Sequence, residues 1–162
     1  ASFLDGAFAF LDLPDPLPTN EKTNAMTKIE HIGIAVKDLD QAESVYEKLL
    51  GSASYKREAV ESQAVITSFF KVGPNKIELL VSTRPDGPIA KAIEKRGEGI
   101  HHIAFAVADI RAEMARLKAE GFTLLNEEPA PGADNKLVCF VHPKSANGVL
   151  VELCQDRSGT VG

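Results

Sequence analysis

Apolar and polar residues alternate over Glu30–Val36, so that Ile32, Ile34 and Val36 share one face and His31, Gly33 and Ala35 the other. That period of two predicts a strand. From Leu39 the period changes. Leu39, Ala42, Val45, Tyr46, Leu49 and Leu50 recur at helical spacing, with Asp38 as an N-cap, Gln41 three residues on in a capping-box pattern, and Gly51 as a stop. Three more strand-like runs follow near Tyr55–Val60, Ala64–Val72 and Lys76–Val81, and Gly73-Pro74-Asn75 marks a turn.

The same order then repeats. Glu30–Leu39 aligns with His101–Ile110 at an offset of 71 residues, with His, Ile, Ala, Val and Asp coincident. In the second copy Ile103, Phe105 and Val107 oppose His102, Ala104 and Ala106. Asp109 caps a helix carrying Ile110, Met114 and Leu117, and Gly121 ends it. Strands are expected near Phe122–Leu125, Lys136–His142 and Val149–Cys154, with turns at Pro131-Gly132 and Asn147-Gly148. Between the copies, Pro88–Arg96 reads as a short helix closed by Gly97. The expected fold class is α+β, two tandem βαβββ modules (about 28–84 and 98–156) forming a curved sheet within one domain over 26–162.

Residues 1–25 lack this patterning. They hold four acids, one base and a run of prolines, without the basic start and continuous apolar core of a secretory signal and without the arginines of a mitochondrial presequence. Met26 suits a natural start. The segment is expected to be an appended or variable extension, or an arm that docks its Phe and Leu residues on this chain or a neighbour.

Composition narrows the classes. The 162 residues are 44% hydrophobic and 25% charged, which supports a packed core. The net charge of −5 lies mostly in the extension; from Met26 on there are 19 acids and 17 bases. No basic block favours nucleic acid, and no apolar run nears the roughly 20 residues of a membrane span. Two cysteines, Cys139 and Cys154, make no disulfide framework and suit a cytoplasmic protein, where they fill core.

The repeat also carries chemistry. His31 and His102 open equivalent strands on faces of small residues, and each module ends in an apolar strand holding one acid, Glu78 or Glu152. A buried carboxylate needs a partner or a cation. A lone strand histidine is more often a hydrogen-bonded core residue, and a lone glutamate can face solvent; the pair recurring in register favours a divalent first-row cation held by His31, Glu78, His102 and Glu152. His101, matched by Glu30, is expected to support the site or the structure, and His142 to serve a turn.

The motifs Ile29-Glu30-His31-Ile32-Gly33-Ile34-Ala35-Val36, Gly99-Ile100-His101-His102-Ile103-Ala104-Phe105 and Phe140-Val141-His142-Pro143-Lys144-Ser145 followed by Gly148-Val149-Leu150-Val151-Glu152-Leu153 resemble the methylmalonyl-CoA epimerase family of the vicinal oxygen chelate (glyoxalase-like) superfamily. The resemblance spans about residues 28–156. It implies His31, His102 and Glu152 as metal ligands, Glu78 as a fourth, and Co2+ as the cation, with Mn2+, Ni2+ or Zn2+ as alternatives. It also implies a homodimer and an acyl-CoA substrate whose two epimers exchange by loss and return of the α-proton. Some bacterial members place a base on the second strand of the first module; residues 64–70 here hold no acid, which leaves Glu78 and Glu152 as the catalytic groups. Lys71, Lys136, Lys144 and Ser145 are candidates for holding the substrate and its phosphates. The rival readings are a glyoxalase-type isomerase of a glutathione hemithioacetal, an extradiol-type iron dioxygenase and a metal-free ligand-sequestering protein of the same fold.

Overall fold

In the computed structural model, residues 25–157 are described; the expected N-terminal arm lies outside them but for Ala25. The elements run β1 (Met26–Ala35), α1 (Leu39–Leu50), β2 (Lys56–Val60), β3 (Val65–Val72), β4 (Asn75–Ser82), α2 (Pro88–Arg96), β5 (Gly99–Val107), α3 (Ile110–Ala119), β6 (Ala130–Gly132), β7 (Lys136–Val141) and β8 (Val151–Asp156), with single 3-10 turns at Glu61–Gln63 and Pro143–Ser145. The eight strands form one sheet in the order β2-β3-β4-β1-β5-β8-β7-β6. Each module contributes one half, and the halves are related by a pseudo-two-fold between antiparallel β1 and β5. In each, the first strand pairs in parallel with the last, β1 with β4 and β5 with β8.

The caps act as expected. The Asp38 carboxylate accepts from the Gln41 amide at 3.0 Å, and Asp109 accepts from Ala112 at 3.0 Å. Gly51 ends α1 at a φ of 72°, a left-handed conformation that favours glycine. Helix α1 lays Leu39, Ala42, Tyr46 and Leu50 on Phe70, Leu79 and Val36; helix α3 lays Ile110, Met114 and Leu117 on Cys139, Val141 and Leu153. Both cover one face of the sheet. The opposite face is left for the polar pairs, with α2 closing one end through Ile89 against Ala35, Val65 and Leu80.

The second module departs from expectation at one strand. Phe122–Leu125 makes only an isolated bridge, Leu124 to Val141, and Pro131-Gly132, expected as a turn, lies in the edge strand β6. The Leu125 amide donates to the Phe140 carbonyl and the Asn126 side chain then accepts from the Phe140 amide, which ends that ladder after one pair. Pro131 is tolerated in β6 because the strand lies at the sheet edge. Among the described residues, no helix is long and apolar enough to cross a membrane.

Candidate metal centre and active site

Register alone assembles the site. Across the sheet, Lys76, His31, Ala104, Glu152 and Phe140 form one row of paired positions; Phe69, Glu78, Gly33 and His102 form the adjacent one. Ala104 and Gly33 supply no bulk between their polar neighbours. At Gly33 a Cβ would lie 2.2 Å from the His102 Cε1 atom, so that ring occupies the space a side chain would take.

His31 Nε2, His102 Nε2 and Glu152 Oε2 form a near-equilateral triangle with sides of 3.0, 2.9 and 3.2 Å. The three atoms lie close enough together that one ion could be held by all of them. Glu78 joins from the other side of the His31 ring, its Oε2 2.7 Å from Nδ1. All four expected residues are therefore gathered and buried, three around one point and Glu78 beside His31. The adjoining cavity of about 30 Å³ has room for an ion or one to two waters.

Sequence alternation missed Glu30, whereas His101, expected to support the site or the structure, does lie against His102. Where β1 meets β5, Ile29 pairs with Phe105 but His31 with Ala104, so Glu30 is an extra, bulged residue; Gly33 pairs with His102 but Ile34 with Ile100, so His101 is bulged too. Each bulge turns a residue toward the site that strict alternation points away. Glu30 contacts His31 Nδ1, and His101 Nδ1 lies 3.0 Å from His102 Nδ1. The available signal was a polar doublet, Glu30-His31 and His101-His102, at the same place in both repeats.

Charge defines what the centre accepts. Glu30 is paired with Lys76 at 2.5 Å, and Lys76 continues to Asp134 at 2.6 Å. Burial opposes ionisation of Glu30, yet His31 and Lys76 hold its carboxyl at about 2. Burial would likewise lower His31, but the carboxylates of Glu152, Glu30 and Glu78 raise it to about 11. Glu152 is held well below the usual carboxylate range by His102 and His31 against the effect of burial. Burial, with His102 and Arg96, lowers His101 to about 4 and keeps that ring neutral. With Glu30 balanced by Lys76, the remaining donors, two imidazoles and two carboxylates, fit a divalent cation in place of the His31 proton.

Lys136 is the only one of the four expected substrate contacts that lines this cavity; its Nζ is paired with Asp156 and lies 3.6 Å from Glu30. Lys71 is exposed over the Tyr55 ring, Lys144 is exposed, and the Ser145 hydroxyl accepts from the Thr123 amide at 3.0 Å as a turn residue. His142 accepts from the Lys144 amide in the same turn. Beside the polar cavity, sharing Gln63, Leu80, His102 and Phe140 with it, opens an apolar pocket of about 270 Å³ walled by Val65, Pro88, Ile89, Leu125 and Leu150.

Residues 30–140 match the Glyoxalase/Bleomycin resistance protein/Dioxygenase superfamily. The chain belongs to this superfamily. Among its relatives, an ethylmalonyl-CoA/methylmalonyl-CoA epimerase of Cereibacter sphaeroides is 41% identical over 130 residues, spanning 79% of this chain and 97% of that protein. The mitochondrial methylmalonyl-CoA epimerase of Homo sapiens is 35% identical over 162 residues, spanning 93% and 92%. A variant methylmalonyl-CoA epimerase of Streptomyces coelicolor, solved in complex with 2-nitronate-propionyl-CoA, superposes with a TM-score of 0.79 at 37% identity, covering 82% of this chain and 96% of that one. This superfamily member thus shares both sequence and fold with epimerases of malonyl-type thioesters.

Proposed function

We propose that this protein interconverts (2R)- and (2S)-methylmalonyl-CoA, with a divalent cation held by His31, His102 and Glu152 and with Glu78 against the far side of the His31 ring. The observation that carries the reading is the buried triangle of His31 Nε2, His102 Nε2 and Glu152 Oε2, in a chain whose relatives are epimerases. The bound cation supplies Lewis-acid stabilisation of the negative charge that develops when the α-proton leaves.

Epimerisation needs one group to take the α-proton and another to return one on the opposite face. Glu78 on β4 and Glu152 on β8 flank the β1–β5 pair from its two sides, which supports assigning them these two roles. Glu78 contacts His31 Nδ1 and stands outside the triangle, which supports its assignment as a base rather than a ligand. Glu30, neutralised by Lys76, orients His31. The apolar pocket suits the hydrocarbon part of the substrate, and Lys136 its carboxylate. Exposed Lys71 and Lys144 are left for the CoA phosphates. Co2+ as the preferred cation and a homodimer complete the reading on resemblance.

The test is proton NMR of methylmalonyl-CoA in D2O. Loss of the α-proton signal, abolished by chelator and restored by metal, is expected; retention of the signal in the metal-loaded protein overturns the proposal. Glu78→Gln is expected to lower exchange by about 100-fold or more. The same triangle is the donor set of non-haem iron oxygenases, so oxygen uptake with a catechol is the control, expected to be nil.

A further inference from the structure

Thr67 lies in β3 between Val65 and Phe69, paired with Leu80 and Glu58, and is 1% exposed. Its side chain lines the same small cavity as His31, Glu78, His102 and Glu152. Among the described residues, its Oγ1 is the buried side-chain N or O atom without a hydrogen-bond partner. Such a group is destabilising, and valine would fill the same shape without that cost. The neighbouring polar groups are already engaged: Glu30 with Lys76, and Glu78 and Glu152 with the histidines.

We propose that the Thr67 hydroxyl donates a hydrogen bond to an anionic oxygen of the bound substrate, making it a substrate-contacting residue. The inference rests on the reading above, that an α-carboxyl thioester enters this cavity. A hydroxyl is a neutral donor, so it adds no charge to the cation site and yet recognises an oxygen through a charge-assisted bond. The ligand it selects is a 1,3-dicarbonyl carrying a carboxylate, and an analogue lacking that oxygen leaves the hydroxyl buried and unpaired.

The test compares Thr67→Val and Thr67→Ser with the wild type as metal-loaded full chains. Thr67→Val is expected to melt at the same or a higher temperature than the wild type in the absence of substrate, and to lose about 10-fold or more in kcat/KM for methylmalonyl-CoA. Thr67→Ser, which restores the donor, is expected to recover most of that loss. Malonate, a bare 1,3-dicarboxylate, is the probe without turnover: its stabilisation of the metal-loaded protein should shrink in Thr67→Val. Equal malonate affinity in wild type and Thr67→Val overturns the inference whether or not the enzyme turns over. A wild type that binds malonate through Thr67 but never exchanges the α-proton overturns the functional reading instead.

Discussion

Glu30 and His101 hold the same place in the two halves of the protein: each is the extra residue of a β-bulge, and each touches Nδ1 of the histidine that follows it. The pseudo-symmetry covers the groups that contact the two site histidines as well as the histidines themselves. It is broken in charge, because Glu30 is an anion paired with Lys76 and His101 is a neutral ring. Groups that fix the tautomer and direction of a ligating histidine typically contribute about 10–100-fold in metal affinity. Glu30→Gln and His101→Leu are each expected to weaken divalent-cation binding within that range, the former more. Competition with a fluorescent chelator measures it, and unchanged affinity in both variants would remove the orienting role.

Gly33→Ala tests the close approach across β1. Without a neighbour, replacing glycine by alanine in a strand stabilises by limiting the unfolded chain. Here the added Cβ meets the His102 ring, 2.2 Å from Cε1 and 2.6 Å from Nδ1 and Nε2. The expected outcome has the opposite sign: a loss of about 1–3 kcal/mol in stability, as for overpacked sites, with weaker metal binding. Thermal unfolding with and without metal reads both effects.

Metal binding should release a proton. Burial would lower His31, but Glu152, Glu30 and Glu78 raise it to about 11, so at pH 7.5 it carries a proton that a bound cation would displace. The folded pKa lies above the unfolded value of 6.5. The stabilisation from charged His31 is therefore full below about pH 6.5 and is lost as pH rises through about 11. Calorimetric titration in buffers of different ionisation heat is expected to show release of about one proton, and a buffer-independent heat would contradict it.

Asp134, at the tip of the β6–β7 hairpin, bridges Lys56 and Lys76 of the first module at 2.6 Å each. Burial opposes its charge, but the two lysines hold its pKa at about 2, below the ordinary 3.8. Its contribution is present above about pH 3.8 and is lost as pH falls through about 2. Asp134→Asn is expected to reduce the difference in melting temperature between pH 7 and pH 3, and to raise hydrogen exchange at the hairpin tip. An unchanged pH dependence would count against a stabilising role for this bridge.

Much of this was legible in the residues. The repeat at 71 residues, the caps at Asp38 and Asp109, helix α2 and the four groups His31, Glu78, His102 and Glu152 all come from patterns spanning a few positions, read twice. Such patterns are local: alternation and helical spacing follow from backbone geometry, and a second copy doubles the signal. The extra pair Glu30 and His101, the unpartnered Thr67 hydroxyl, edge strand β6 and the Asp134 bridge depend on which strand lies beside which, and in what register. A bulge is defined only against its partner strand, and a buried hydroxyl is known to lack a partner only when every neighbour is in place. The chain alone thus marked the four candidate groups His31, Glu78, His102 and Glu152 and their two-fold logic. Strand pairing decided what surrounds them, because the register between neighbouring strands, and the bulges in it, arise from packing that no single segment specifies.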